Sequence, residues 1–286
     1  MKKKTERISG FREWRVLTRQ ARRILFSDKK NLLVSLIFPV CAALITVWIA
    51  GENMFVHYEG TKSACFVLVS AAIWCGLFNS IQIVVRERAN IKRDYTAGLR
   101  LRCYTASRAE LQFFLCLIQS ALLTGAFLGV EKKFGNTLPD QGLILESTLL
   151  ECFISIFLLM LAADATGLFV SCLVRKAETA NVLAPYILIV QLIFSGILFP
   201  MKDQAETVSY AMLSRWGMEA LGSTCCLNDL PLKIQATVPT VPHEAEDMFL
   251  SSAAHLQDVW VVLLAFALVC VFLGNLALHR VARDTR

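Results

Sequence analysis

Apolar stretches of about twenty residues alternate along the chain with basic or polar segments. A helix rises about 1.5 Å per residue and the bilayer core is about 30 Å thick, so about 20 apolar residues make one crossing. Six stretches are long enough: residues 32–50, 64–85, 111–130, 149–174, 180–199 and 259–278. None alternates with the period of two that marks a barrel strand, so the sequence predicts an all-α membrane protein with six transmembrane helices.

Composition supports a membrane protein. Of the 286 residues, 56% are hydrophobic and 18% are charged, whereas soluble domains have about 45–50% apolar and about 25% charged residues. This excludes a disordered chain and argues against an ordinary cytosolic enzyme. The first apolar stretch is longer than the core of a signal peptide and lacks a small-residue cleavage pattern, so we expect an uncleaved signal anchor.

Positive charge is distributed unevenly between the predicted spans. Alternate segments hold 23 of the 29 lysines and arginines: residues 1–30, 86–108, 175–176 and 280–286. Cytoplasmic loops of membrane proteins carry the excess of Lys and Arg. The pattern therefore predicts that both termini lie in the cytoplasm, in a bacterial plasma membrane.

The first segment, residues 1–30, contains a basic amphipathic helix over residues 12–27. Trp14 and Leu17 lie on one apolar stripe at helical spacing, and Arg19 and Arg22 are among the arginines on the other faces. Such a helix lies at the membrane surface among anionic headgroups. It can also touch a cytoplasmic partner, and the two interpretations are compatible.

Two further segments are too long for simple turns. In residues 86–108 we expect a short amphipathic helix ending near Ala97 and another leading into the third span; the segment is either a solvated basic loop or a docking element. Residues 201–257 form an outer segment that is long enough to be functional or helical. Its apolar part suits a re-entrant or surface-lying helix, with Tyr210 and Trp216 at headgroup level.

One acidic residue, Asp164, lies inside the fourth apolar stretch. An ionisable group at membrane depth faces a bundle interior or water, so Asp164 belongs either to a proton or substrate path or to the packed structure. Two patterns of small residues favour close helix contact, one with Gly125 and Gly129 and the other with Gly167 at its centre.

Catalytic and metal-binding motifs are absent from the sequence. It contains no phosphate-binding loop and no clustered His and Cys ligands, so we expect no metal and no ATP site in this chain. Most of the ten cysteines lie in or beside apolar stretches, where a thiol acts as a small hydrophobe. Cys225 and Cys226 are either free thiols or partners in a disulfide.

Several motifs occur in an order that resembles the membrane domain of type-2 ABC exporters, especially the G-subfamily and its bacterial relatives. After the second span come Arg86-Glu87-Arg88, Tyr95, Gly98, Tyr104, Ser107 and Glu110. The fourth and fifth spans carry Gly167-Leu168, Ser171, Ala180, Pro185 and Phe194-Ser195-Gly196. The outer segment contains Glu219-Ala220-Leu221.

The resemblance implies a function for these segments. It implies that residues 92–103 form a coupling helix on a nucleotide-binding subunit, with these docking residues: Lys92, Arg93, Asp94, Tyr95, Gly98, Arg100 and Arg102. The connecting helix, with Trp14, Leu17, Arg19 and Arg22, would pack beside it. Two membrane domains would form the transporter, as a homodimer or heterodimer, with a substrate path along the second and fifth spans: Phe78, Asn79, Gln82, Gln191 and Phe194.

The resemblance also implies that ATP and magnesium bind a partner, which is a separate polypeptide unless this chain was excised from a longer one. The transported substrate is unidentified, and no nucleic acid is expected as a partner. Two other hypotheses remain open at this point: a proton- or ion-coupled carrier using Asp164, and a non-transporting membrane scaffold or sensor.

Overall fold

A computed structural model describes residues 9–50, 55, 57–133, 142–199, 204–230 and 246–283. Within these residues the regular structure is helical. The helices are α1 (Gly10–Ser27), α2 (Lys29–Ala50), α3 (Tyr58–Ser80), α4 (Ile83–Thr96), α5 (Leu101–Lys133), α6 (Thr148–Leu173), α7 (Ala177–Ile193), α8 (Gln204–Ser209), α9 (Leu213–Thr224) and α10 (Ala253–Arg283), with a 3₁₀ turn at Asp247–Phe249. The predicted all-α class is confirmed.

Among the described residues, five helical segments are long and apolar enough to cross a bilayer. One is α3 together with α4, and the other four are α2, α5, α6 and α10. The fifth predicted span, residues 180–199, is the exception, because α7 has 17 residues and ends at Ile193. Turns follow it, where the Ser195 hydroxyl donates to the Leu192 carbonyl oxygen at 2.8 Å and Gly196 adopts a φ of 82°. The left-handed backbone at Gly196 cannot continue a right-handed helix.

Two other predicted boundaries are corrected. Pro185 was expected near the start of the fifth span, but α7 begins eight residues earlier and holds this proline inside the helix. The second span, predicted as one helix over residues 64–85, runs from Tyr58 to Ser80, breaks at Ile81 and Gln82, and resumes as α4.

Helix α6 lies at the centre of the bundle and packs against α3, α5, α9 and α10. Its contact with α3 is backbone-close. A Cβ atom built on Gly76 would lie 2.3 Å from the Met160 carbonyl oxygen, and one on Gly167 would lie 2.5 Å from the Ser80 Oγ. The small-residue pattern around Gly167 therefore marks a helix contact, as predicted. The pattern at Gly125 and Gly129 does not within this chain, because a Cβ at either site meets no described atom within 4 Å.

The described part of the outer segment folds back into the bundle. All residues of α9 except Trp216 are buried, and the helix packs against α3, α6 and α10. Of the two interpretations, a re-entrant helix fits this burial and a surface-lying helix does not. Tyr210 remains 45% exposed beside Trp216. Residues 201–203 and 231–245 of this segment lie outside the described residues.

Candidate functional site

A basic face forms at one end of the bundle from α1, α4 and the start of α5, and this name is kept for that surface below. Helix α1 packs along α5, where the Thr18 hydroxyl donates to the Glu110 carboxylate at 2.8 Å. Trp14 and Leu17 are half-buried, whereas Arg19 and Arg22 are exposed. The amphipathic helix predicted from sequence is therefore present, with its apolar stripe toward the bundle and these arginines outward.

The predicted coupling segment, residues 92–103, is not one helix. Helix α4 ends at Thr96, a tight turn follows, and α5 begins at Leu101. Gly98 has a φ of 105°, a left-handed conformation that a residue with a Cβ atom rarely adopts, so this turn interrupts the helix.

The seven predicted docking residues all lie on the basic face around this turn. Arg93, Gly98, Arg100 and Arg102 are exposed, and Lys92, Asp94 and Tyr95 are half-buried. The turn is fastened to α1, because the Glu13 carboxylate accepts the backbone N–H of Arg100 at 2.7 Å and pairs with its guanidinium at 3.7 Å. Helix α1 and the turn therefore form one continuous surface.

Helices α4 and α6 cap each other. The Ser171 hydroxyl oxygen of α6 accepts the backbone N–H groups of Val84 and Val85 at 3.1 and 3.3 Å. These donors belong to the first turn of α4, which has no partners within its own helix. In return, Arg88 of α4 donates to the carbonyl oxygen of Val174, the residue that ends α6, at 2.8 Å. The basic face is thus hydrogen-bonded directly to the central helix of the bundle.

A buried ion pair joins α4 to α5 behind the basic face. The Arg108 Nη2 donates to both carboxylate oxygens of Glu87 at 2.6 Å, and the Tyr104 hydroxyl also donates to that carboxylate at 2.6 Å. The Arg108 side chain is 8% exposed and that of Glu87 is 21% exposed. Removal of either partner would leave a poorly solvated charge, so this pair holds the two helices in one arrangement.

A cavity of about 470 Å³ lies between α1, α2, α3, α4 and α5. Three of the predicted substrate-path residues, Phe78, Asn79 and Gln82, line it together. The other two lie elsewhere. The Gln191 Oε1 accepts the backbone N–H of Ser214 on α9 at 3.1 Å, and Phe194 directly follows the last residue of α7.

A polar network lies beside this cavity, which two of its members, Ser35 and Asn79, line. Apart from Asn79, its residues were not identified from the sequence. The side-chain amides of Asn79 and Gln119 exchange two hydrogen bonds, at 2.6 and 3.2 Å, and Gln119 also donates to the Ser35 hydroxyl at 2.9 Å. Gln112 donates to the carbonyl oxygen of Asn79 at 3.0 Å. The available signal was the pair of glutamines inside the third apolar stretch, because polar side chains at membrane depth hydrogen-bond across helices.

Asp164 is 3% exposed and lies on α6, where the Ser80 hydroxyl of α3 donates to its backbone carbonyl oxygen at 2.5 Å. Its Oδ1 has no hydrogen-bond partner among the described residues. Asp164 does not line the 470 Å³ cavity, so the structure separates it from the α3 candidates for the substrate path.

At the opposite end of the bundle, a group of polar side chains ties the outer segment to α3. Lys62 pairs with Glu246 at 2.6 Å, and the Tyr58 hydroxyl donates to the same carboxylate. Asn228 donates to the backbone carbonyl oxygens of Glu246 and Phe249 at 2.9 and 3.0 Å. None of the ten cysteines, all of which lie in described residues, forms a disulfide, and the Sγ atoms of Cys65 and Cys225 lie 3.9 Å apart.

In the part of the chain that the structure describes, no group of three or more His, Cys, Asp or Glu side chains could hold a metal ion. The arrangement offers instead a surface for a partner, a cavity and a bundle of membrane-capable helices.

Comparison with known proteins identifies the bundle. A family model described as ABC-2 type transporter matches residues 12–224, from α1 to the end of α9. The chain belongs to the ABC-2 type transporter family. An ABC-2 membrane domain is an integral, multi-pass transport permease. The matched region covers the basic face, the cavity and the re-entrant helix.

A similar protein is the ABC transporter ATP-binding/permease protein Rv1747 of Mycobacterium tuberculosis. It shares 24% identity over 226 residues, which cover 76% of this ABC-2 chain. The same region makes up 26% of that protein, so the chain spans about a quarter of the length of this curated relative.

Proposed function

We propose that this ABC-2 permease is the transmembrane subunit of an ATP-driven exporter that moves a substrate outward across a bacterial plasma membrane. Residues 1–30 serve as the connecting helix and residues 31–286 as the transport domain. Both termini lie in the cytoplasm, because the segments that hold 23 of the 29 lysines and arginines then face the side where such residues accumulate.

The basic face is the docking surface for the nucleotide-binding partner. The observation that carries this proposal is the reciprocal capping between α4 and α6, which joins the predicted docking segment to the centre of the bundle. Behind it, Ile91, Tyr104 and Leu168 belong to one apolar cluster shared by α4, α5 and α6. A displacement of the α4–α5 turn is therefore transmitted to α6 through hydrogen bonds and packed side chains.

ATP and magnesium act on the partner, and this chain responds to its two states. A partner whose contacts with the α4–α5 turn differ before and after hydrolysis shifts the bundle between two arrangements, by the difference in interaction free energy. Two such membrane subunits, identical or different, enclose the substrate path. On this chain Phe78, Asn79, Gln82, Gln191 and Phe194 are its candidate lining residues.

The partner is either a separate subunit or another part of a longer polypeptide. The name of the mycobacterial relative combines ATP-binding and permease functions in one protein. We propose a separate subunit here, and purification of the tagged chain from its own cells tests this directly.

Docking is tested by the amount of ATPase that copurifies with the tagged chain. We expect the charge reversals Arg93→Glu and Arg102→Glu, made together, to lower the amount of ATPase that copurifies by at least about tenfold, the effect of losing one charge-assisted contact or more. Arg280→Glu is the matched control, since Arg280 is also an exposed arginine, but on α10. Unchanged copurification in the double variant, with a normally folded chain, would contradict the docking proposal.

Orientation is tested by single engineered cysteines in a variant whose own exposed cysteines are replaced. Arg280→Cys should react with a membrane-impermeant maleimide only in inverted vesicles, and Glu206→Cys only in intact cells. Labelling of both positions from the same side would overturn the topology.

A second candidate function is a proton- or ion-coupled carrier, favoured by the buried and unpartnered Oδ1 of Asp164. It predicts transport by the purified chain alone in a proton gradient, abolished by Asp164→Asn. If the chain is instead an exporter subunit, we expect no transport without ATP and the partner, and the Asp164→Asn variant should still fold.

A further inference from the structure

The 470 Å³ cavity lies at the level where the membrane meets water. The second apolar stretch ends at residue 85 and the third begins at residue 111, and Arg86 and Arg108, which lie just outside these stretches, both line the cavity. The lining residues Phe78 and Leu115 lie inside the two apolar stretches. A ligand here therefore meets charged groups at one end and apolar groups at the other.

Three polar groups in the lining lack partners in the described part of the chain. Arg108 is 7% exposed, and its Nε has no hydrogen-bond partner although its Nη2 binds Glu87. The buried Oε1 of Gln82 is also without a partner. The exposed side chain of Arg86 forms no ion pair or hydrogen bond among the described residues. A buried polar group without a partner is costly, and a ligand or water normally satisfies it.

The charges of the lining favour an anion beside Arg86. Glu87 compensates Arg108. Asp28, the second carboxylate in the lining, accepts hydrogen bonds from the backbone and side chain of Asn31 at 3.3 and 2.5 Å. Arg86 is thus the lining cation that has no carboxylate contact in the described structure, because Glu87 pairs with Arg108.

We propose that this cavity binds the headgroup of a glycerophospholipid. The phosphate accepts hydrogen bonds from Arg86 and from the Nε of Arg108, and a hydroxyl or ammonium group of the same headgroup donates to the Oε1 of Gln82. The acyl chains pass Phe78, which is 38% exposed, into the bilayer. The volume lies in the range of about 300–1,000 Å³ found for small-molecule sites.

This site shares Phe78 and Gln82 with the proposed substrate path, but the inference depends on neither the direction of transport nor the docking partner. Headgroup selectivity follows from the chemistry. Phosphatidylglycerol and phosphatidylethanolamine offer both a phosphate and a donor, phosphatidylcholine offers the phosphate without a donor, and diacylglycerol offers a hydroxyl donor without the phosphate.

Native mass spectrometry of the purified chain, titrated with defined lipids in a neutral detergent, tests the site. We expect one retained phosphatidylglycerol per chain, and at least about tenfold weaker retention of diacylglycerol, as for the loss of a charge-assisted hydrogen bond. Arg86→Gln should weaken the retention of phosphatidylglycerol by a similar factor. Arg102→Gln is the matched control, another exposed arginine of the basic face that does not line the cavity, and should stay within about twofold of wild type.

Selectivity within a single variant makes the test independent of how much of that variant folds. Gln82→Leu should bind phosphatidylglycerol and phosphatidylcholine equally, whereas wild type prefers phosphatidylglycerol. Equal retention of diacylglycerol and phosphatidylglycerol by wild type would overturn the proposal, and so would an unchanged Arg86→Gln. Full displacement of phosphatidylglycerol by millimolar inorganic phosphate would show an anion site without lipid recognition, which also refutes it.

Discussion

The crossing of α3 and α6 gives the sharpest test of the bundle, through the substitution Gly76→Ala. A Cβ atom at this position would lie 2.3 Å from the Met160 carbonyl oxygen and 2.9 Å from the Cβ of Ala163. Even a favourable C–H···O contact keeps carbon and oxygen about 3.3–3.6 Å apart. The two helices must therefore separate by about 1 Å where they touch, and the backbone of α6 has no flexible atom to yield.

The expected loss of stability follows from two opposing effects. Overpacking of a close contact costs about 1–3 kcal/mol, and the separation also weakens the nearby hydrogen bond from Ser80 to the Asp164 carbonyl oxygen, worth about 1 kcal/mol. Replacing glycine inside a helix returns about 0.5–1 kcal/mol. We expect Gly76→Ala to lower the free energy of unfolding by about 2 kcal/mol.

Equilibrium unfolding in mixed detergent micelles, followed by helical circular dichroism, measures this difference. Gly125→Ala is the control, because a Cβ there meets no described atom within 4 Å and only the helix-propensity gain of about 0.5–1 kcal/mol remains. If Gly76→Ala were as stable as Gly125→Ala, α3 and α6 would not touch at this point and the packing argument would be wrong.

Two further predictions concern the Glu87–Arg108 ion pair and the contact between Cys65 and Cys225. Arg108→Met leaves the Glu87 carboxylate partly buried and uncompensated, so we expect a loss of about 3 kcal/mol in unfolding free energy. Arg93→Met is the control, because the side chains of its ion pair with Asp94 are 76% and 45% exposed, and it should cost under about 1 kcal/mol. Equal losses in the same unfolding assay would contradict the structure. The Sγ atoms of Cys65 and Cys225 lie 3.9 Å apart, so mild oxidation by a copper–phenanthroline catalyst should link their two peptides within one chain, as read by peptide mass spectrometry. The Cys65→Ser variant is the control, because it cannot form this link. If the oxidised wild type gave the same peptide map as that variant, α9 would not pack against α3.

Five of the six predicted spans and helix α1 could be predicted because each depends on local pattern alone. A run of about 20 apolar residues spans a bilayer whatever it packs against, and the stripe that contains Trp14 and Leu17 defines a helix face by its spacing. The predictions failed where a neighbour decided the outcome. The break at Ile81 and Gln82 is stabilised by Ser171, which satisfies the first turn of α4 from 86 residues away, and no local signal announces that cap.

The candidate site shows the same division. The residues of the basic face were predicted as a group because they are close in sequence, although the turn at Gly98 divides the expected coupling helix in two. Among the substrate-path candidates, Phe78, Asn79 and Gln82 share one cavity because they lie within five residues of one another, at the end of α3 and in the break that follows it. Gln191 is separated from them because α7 ends early and α9 takes up its side-chain amide.

The sequence by itself predicted that this protein lies in a membrane, how many apolar stretches it has and which segments carry most of the positive charge. Those properties sum over residues and need no partner. Only the tertiary structure decided which glycines lie at a helix contact and which polar atoms remain without a partner around the cavity. It also decided that Glu87, and not Asp28, pairs with Arg108. Each of these depends on atoms far apart in sequence, whose meeting is fixed only when the helices pack.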